Sequence, residues 1–448
     1  MHAFRASFLA CVFAAVAVAD VSAQGGGSPW PANVRVNQDH DGFQQAETSL
    51  AVNPRDPLNM VAVFWEVISY DPQNLTNREK RLNWAWTRDG GLTWQSRRLE
   101  NGVYSSDPSV VADRQGNFYV ETILAPGFPN IDVEHASLAI LKSTDGGETL
   151  AQTAEVALGH FMDKPYMAID PDTDAIYLVW SDFGEKRNDS WIKFAVSTDH
   201  GATFSIPRQI SNSGSLGSFA TPAAGTNGEI YVIWSGWKMA ERIWLDRSVD
   251  GGRTWLQHDV AVIGPSAIAG PKGLKAAGYG FATIVVDRSA GPHRGRIYAL
   301  WTTFVAGGSN LTLAWSDDRG DHWSDPVQVL DAPPVAGGIQ GLPWVLVDAL
   351  GRVHVTYRLG VPDPAGRLRA EYLTTSTDGG MTFGPSIRIS DGFYPQFTFN
   401  GDYDQPAIAG NTLVAIWADG RLGDNDVYTQ RVDLGDDDGD GILNYADN

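Results

Sequence analysis

One octapeptide, in outline Ser/Thr-x-Asp-x-Gly-x-Thr-aromatic, recurs six times and constrains the fold of this chain more than any other feature. The copies are Thr87–Trp94, Ser143–Leu150, Ser197–Phe204, Ser248–Trp255, Ser316–Trp323 and Ser376–Phe383. Their aspartates, Asp89, Asp145, Asp199, Asp250, Asp318 and Asp378, lie 51 to 68 residues apart. A carboxylate there accepts bonds from nearby backbone N–H groups, and the glycine two residues later takes a positive φ at no steric cost. The octapeptide therefore reads as a hairpin turn inside a unit repeated along the chain.

A second recurrence precedes each turn. Apolar stretches are followed by aromatic-rich strands ending in Trp65, Trp180, Trp234, Trp301, Tyr357 and Trp417, with Phe118–Val120 in the second unit. Near-continuous apolar strands of this length suit sheets buried on both faces. Seven such inner hairpins stand against six octapeptides. The seventh unit ends after Val427–Val432 with no turn and no outer strand, while Val34–Gln38 near the N-terminus matches the outer strand Val327–Asp331. The expected fold is an all-β, seven-bladed β-propeller spanning 33–434, closed by this N-terminal strand, which removes an open sheet edge. A six-bladed ring is the alternative.

The octapeptide resembles the Asp-box (BNR repeat) of the sialidase-like superfamily. The resemblance implies a propeller whose boxes are structural and lie opposite the active site, so their aspartates are not read as catalytic. Sialidases also open with a Phe/Tyr-Arg-Ile-Pro segment, grip a substrate carboxylate with three arginines, and use a Tyr–Glu nucleophile pair. Here Gln45–Leu50 stands where that segment would be, and Arg187, Arg242, Arg358 and Arg421 match no family motif. The fold and the boxes carry over; the family's catalytic residues do not.

Arg5, an apolar run from Ala6 to Ala19 and the small residues before Gln24 make residues 1–23 a signal peptide, which implies a secreted or periplasmic protein. The chain's one cysteine, Cys11, falls within this leader, leaving no disulfide to staple the ring. A formal charge of −20 argues against nucleic acid as a partner. No later segment has the length of a membrane span, and a monomer is expected.

The tail, 435–448, places Asp436, Asp438, Asp440, Asn444 and Asp447 at positions 1, 3, 5, 9 and 12 of an EF-hand-like loop. Gly441 stands at position 6 and the Ile442 carbonyl at position 7. It resembles a thrombospondin type 3 repeat, which implies calcium; a solvated acidic tail is the alternative.

In a propeller, functional side chains come from the entrances of inner strands and from the loops between second and third strands. Aligning the units puts Glu47, Asp107, Asp163 with Lys164, Thr221, Tyr279, Gln340 and Asp404 at those entrances. Asp39, His40, Asp41 and Asp402 lie just upstream. Glu47, Asp107, Asp163 and Asp404 form an acidic crescent, the expected catalytic set. Paired carboxylates hydrolyse glycosides, one protonating the leaving group and the other activating water or attacking. The same crescent also fits a cation site or a purely structural role. Tyr70, Phe161, Trp237, Tyr394 and Phe397 in the mouth loops can stack on sugars or pack the rim. A polysaccharide lyase would draw a base from His135, His160 or Tyr279. The expected function is a secreted, sialidase-like glycoside hydrolase acting on an extracellular glycan, against a non-catalytic propeller that binds a glycan or protein.

Overall fold

Strands that are apolar on both faces need a sheet on either side, and this chain meets that need with seven sheets stacked face to face in a ring. The computed structural model describes residues 31–435 except 40–41, 72–73, 101–102, 127–131, 133–134, 160, 185–189, 213–216, 237–241, 263–281, 306–307, 331–337, 362–367 and 396–400, and also describes Leu443. No α-helix occurs among the described residues, and no helix is long and apolar enough to cross a membrane.

Blade one runs up and down through Gln44–Asn53, Asp56–Asp71, Asn74–Thr87 and Gln95–Arg98. Blades two to six repeat this order, their innermost strands being Tyr104–Ala112, Phe161–Ile169, Gly217–Ala224, Thr283–Val286 and Ile339–Val347. Blade seven has Ala407–Ala409, Thr412–Asp419 and Asp426–Asp433, and its fourth strand is Val34–Arg35 from the other end of the chain. Val34 lies opposite Thr429 and Arg35 opposite Tyr428, and the Arg35 guanidinium pairs with Asp426 at 2.6 Å.

The core is divided into layers, one at each of the seven blade junctions. At the junction of blades one and two, Val61, Val63 and Trp84 meet Phe118, Val120 and Leu141. The layer that joins the ends of the ring sets Leu50, Met60 and Phe64 of blade one against Val414, Ile416 and Val427 of blade seven. Trp65, Trp180, Trp234, Trp301 and Trp417, toward the ends of second strands, are wholly buried.

The octapeptides are the clasps between these layers. In the first, the Thr93 amide and hydroxyl donate to the Asp89 carboxylate at 2.9 and 2.6 Å, and the Thr87 hydroxyl donates at 2.7 Å. The same bonds recur around Asp145, Asp199, Asp250 and Asp378. His322 takes the threonine's place at Asp318. Hydroxyl bonds from Thr203 and Thr254 hold Asp199 and Asp250 down at about 2, so both are ionised at any ordinary pH. The glycine at the fifth position of each turn has a left-handed φ, and in five of the six it abuts the preceding blade: Gly147 (φ 98°) faces Val61 and Trp86, and Gly252 (φ 85°) faces Phe194.

A methyl group on Gly147 would sit 2.4 Å from Val61 Cγ2, whereas one on Gly251 (φ 74°) meets nothing within 4 Å. Gly147→Ala is therefore expected to cost about 2–3 kcal/mol through overpacking. Gly251→Ala should cost only the roughly 1 kcal/mol of a strained backbone. Urea unfolding of the two variants side by side measures the difference.

Candidate active site

A repeated backbone device aims the mouth residues. Near its entrance, each inner strand of blades one, two, three, four and six slips register against its neighbour, between Ala46 and Ser49, Ser106 and Ser109, Asp163 and Tyr166, Ser218 and Thr221, and Gly341 and Trp344. Inside each slip one non-glycine residue is left-handed: Glu47 (φ 59°), Asp107 (51°), Lys164 (49°), Phe219 (60°) and Leu342 (48°). Such outliers cost of order 1–3 kcal/mol each and cluster at functional sites. This geometric alignment revises the one read from sequence. Lys164, not Asp163, is the counterpart of Glu47 and Asp107, while Phe219 and Leu342 fill the slots assigned to Thr221 and Gln340. A bulge inserts one residue, so a sequence alignment by strand starts drifts by one or two positions.

The bulges of blades one to three bring charges together. Lys164 Nζ lies 2.5 Å from Glu47 Oε1, 2.8 Å from Asp402 Oδ2 and 3.6 Å from Asp107 Oδ2. Glu47 also accepts from Trp65 Nε1 at 2.7 Å, and Lys80 Nζ stands 4.1 Å over the Trp65 ring. Asp163 hydrogen-bonds to Asp107. Glu47, Asp107 and Asp402 are buried, whereas Asp163 keeps partial access to solvent. Four carboxyls thus gather at the Lys164 ammonium, with a second ammonium, that of Lys80, over the Trp65 ring.

Their protonation follows from that imbalance. Burial and the nearby Asp107 push Glu47 well above the ordinary carboxylate range. The same two causes, burial first, raise Asp163 to about 8 against the pull of Lys164. Burial opposes ionisation of Asp107 as well, but Lys164 and hydrogen bonds from Glu47 and Asp163 outweigh it and hold Asp107 low. Glu47 and Asp163 thus hold their protons well beyond the ordinary carboxylate range, while Asp107 is ionised beside Lys164. Glu121, wholly buried and beside Asp107, is pushed well up by burial.

Asp404 belongs to an adjoining network. It accepts from Thr48 Oγ1 at 2.9 Å and from Arg358 Nη2 at 2.5 Å, while Arg358 Nε donates to Glu371 at 2.8 Å. Tyr394 OH donates to the same Glu371 oxygen at 2.5 Å. Burial raises Asp404 to about 8 in spite of Arg358.

The segment Gly401–Gln405 carries Asp402 and Asp404 into the axis. Asp404 and Gln405 pair in parallel with Thr48 and Ser49 of blade one. Gly401 is needed where it stands: at φ 92°, a Cβ on it would lie 2.6 Å from the Glu47 amide. Tyr403 OH donates to Pro108 O of blade two at 2.9 Å, and its ring packs edge-on to Tyr166 of blade three at 5.2 Å. Tyr166 in turn packs on Trp344 of blade six, so aromatic rings fill the centre.

Of the four acids expected from sequence, the structure gathers Glu47, Asp107 and Asp163 around Lys164 and sets Asp404 against Arg358. Lys164, Asp402, Glu121 and Glu371 complete the charged set. Glu121 was readable as a lone acid interrupting the apolar run that begins at Phe118. Asp402 was readable only as a neighbour of Asp404. Arg421 is engaged by Asp419 and Asp391 at 2.5 and 2.6 Å. Tyr279, His160, His40, Asp41, Arg187, Trp237, Phe397 and all six expected calcium ligands of the tail lie outside the described residues.

No family model matches the sequence. No curated protein matches it either. Solved structures do resemble it in shape. The α-L-arabinofuranosidase Arb93A of Fusarium graminearum aligns with a TM-score of 0.51 at 13% identity, over 90% of this chain and 98% of that one. The Penicillium chrysogenum α-L-arabinanase, solved with arabinobiose, gives 0.50 at 12% identity with the same coverage. A Dyadobacter fermentans protein of unknown function gives 0.51 at 14% identity, over 75% of this chain and 96% of that one. Glycoside hydrolases are thus among its structural neighbours. At these identities the likeness is one of fold.

Two outcomes follow from the charge balance. Lys164→Met strips the ionised Asp107 of its counter-charge and should cost about 3–5 kcal/mol, with Lys164→Met/Asp107→Asn recovering part of the loss in urea unfolding. Asp163 and Asp404 titrate near 8 when folded, against about 3.9 unfolded. The folded state then holds more protons across that window, so stability falls as pH rises from about 4 to about 8. Thermal midpoints against pH should show this decline, and Asp163→Asn should flatten it.

Proposed function

We propose that the protein is a glycoside hydrolase acting on an extracellular glycan, with Asp163 as the proton donor. One observation carries the reading: Asp163 is a partly exposed carboxylic acid, raised to about 8 by burial and Asp107, in a mouth where the buried Lys164 pairs with Asp402 at 2.8 Å and lies 3.6 Å from Asp107. Of two carboxyls in such a mouth, the acid gives its proton to the glycosidic oxygen as the bond to the anomeric carbon breaks. The second carboxylate attacks that carbon or removes a proton from the incoming water. Asp402 fits the second role better than Asp107. Its Oδ2 is fixed by Lys164 while its buried Oδ1 has no hydrogen-bond partner, and a buried unpaired oxygen gains from meeting a hydroxyl, a water or a developing cation. Asp107, already engaged by Asp163, Glu47 and Lys164, keeps the proton on Asp163. The fold shared with arabinan-active enzymes makes arabinan-derived sugars the first substrates to try.

A release assay over arabinan, other neutral oligosaccharides, sialosides and uronate polymers tests the proposal. Asp163→Asn and Asp402→Asn should each lower kcat by about 100-fold or more, and activity should fall on the alkaline side with a midpoint near pH 8. Turnover that survives both substitutions overturns the assignment. A propeller that binds without catalysis is the second reading, supported by the near-complete burial of Glu47, Asp107 and Asp404; binding without turnover across the panel would select it.

We also infer that the protein is exported and that its tail binds calcium. Support for export is the leader-like pattern of residues 1–23, and support for calcium is the spacing from Asp436 to Asp447. Calorimetric titration with calcium should show one site that Asp438→Ala removes, and an isotherm unchanged by that substitution would contradict it.

A further inference from the structure

The tryptophan of blade one is out of step with those of blades three, four and five. Met60 faces Thr87, the first residue of its octapeptide, just as Ile176, Ile230 and Ile297 face Ser197, Ser248 and Ser316. Counted from these residues, Trp180, Trp234 and Trp301 are each four places on, whereas Trp65 is five places on. Its counterparts are therefore Ser181, Ser235 and Thr302, and Phe64 fills the tryptophan slot. Successive strand residues face opposite sides of a sheet. Phe64 accordingly packs toward blade seven, as Trp180, Trp234 and Trp301 pack toward blades two, three and four. Trp65 is turned the other way and forms a small cluster of its own with Ala46 and Val67.

The offset gives this indole a polar role. The ring N–H groups of Trp180, Trp234 and Trp301 are buried and have no hydrogen-bond partner among the described residues. That of Trp65 donates to Glu47 Oε2 at 2.7 Å, both residues being wholly buried, and Lys80 Nζ lies 4.1 Å over the same ring. The other Glu47 oxygen lies 2.5 Å from Lys164 Nζ, so both ends of this carboxyl are held and it cannot swing. Lys164 in turn stands 2.8 Å from Asp402 and 3.6 Å from Asp107, to which its backbone amide also donates at 3.4 Å.

We propose that Trp65 is a positioning residue of the mouth: its indole N–H fixes the Glu47 carboxyl, which in turn fixes the Lys164 ammonium between Asp402 and Asp107. The consequence for turnover rests on the hydrolase reading; the positioning itself does not. Without the indole N–H, Glu47 is free to turn away from Asp107. Asp107 then loses a hydrogen bond that favours its ionised form, and a less charged Asp107 raises Asp163 less. Lys80, Lys164, Asp402 and Glu121 face the same acids and stay in place when the indole alone is changed.

The experiment follows the Asp163 carboxyl through its titration by carbon-13 NMR, its signal assigned from Asp163→Asn. In Trp65→Phe the midpoint should fall from about 8 by about 1 unit or more. Trp234→Phe, which removes an unbonded indole, should leave it unchanged, and in a Glu47→Ala background Trp65→Phe should add nothing. Thermal midpoints confirm that the variants are folded. An unmoved midpoint in Trp65→Phe, an equal fall in Trp234→Phe, or a fall that persists without Glu47 would each overturn the proposal. If Trp65→Phe does not fold, the wild-type indole N–H spectrum decides. One signal must then move with the titration of the cluster and be displaced by Glu47→Gln, and a spectrum in which none does so overturns the proposal as well. A lowered midpoint in a protein that turns over no glycan upholds Trp65 and sinks the hydrolase. Asp163-dependent turnover whose alkaline limb is the same in Trp65→Phe does the reverse.

Discussion

An ammonium group shut away from water must have acceptors and counter-charge, and Lys164 finds carboxyl groups in three blade-entrance segments at once: Glu47 from blade one, Asp107 from blade two and Asp402 from the loop before blade seven. Desolvating one such ion costs several kcal/mol, so none of these groups can be treated singly. The lysine keeps Asp107 ionised, Asp107 in turn keeps the proton on Asp163 and Glu47, and the two retained protons stop the acids from repelling one another. The chemistry available at the mouth is a consequence of this arrangement.

The ring has seven similar blades but a one-sided mouth. The same left-handed bulge presents Glu47, Asp107 and Lys164 on one arc and Phe219 and Leu342 on another. A conserved backbone geometry with interchangeable side chains lets the strands stay in register for packing while the entrances diverge. The symmetry is broken further by Gly401–Gln405, which leaves the path of its own blade to pair with blade one and drops Tyr403 onto Tyr166. That segment supplies the one carboxylate of the cluster that does not come from an inner strand.

How much of this was legible follows from range. The octapeptides and apolar hairpins are local patterns, so the blade count and the pairing of Val34–Arg35 with Asp426–Asp433 could be read by counting and matching strands. The acids were found by the same alignment, because entrances recur at a fixed place in each unit. What could not be read is where the alignment slips. The bulges moved Lys164 into the slot given to Asp163, and no residue type announces a left-handed Glu or Asp. Nor does the sequence near Asp404 reveal that it meets Arg358, 46 residues earlier, rather than the acids it was grouped with. Partnerships such as Tyr394 with Glu371 arise only when separate loops converge.

Closing the last sheet with a strand from the first has a kinetic side. Val34 and Thr429 are bonded across 395 residues of chain, about the largest loop this molecule can draw shut. The four up-and-down strands of each of blades one to six are neighbours in sequence and can assemble as the polypeptide emerges. The final sheet waits for the whole chain, and until then the nascent molecule is an open arc with an exposed apolar face and an unpaired strand at each end. Synthesis of this ring is therefore a race between end-to-end capture and sticking to another copy, and the few residues around Val34 decide it.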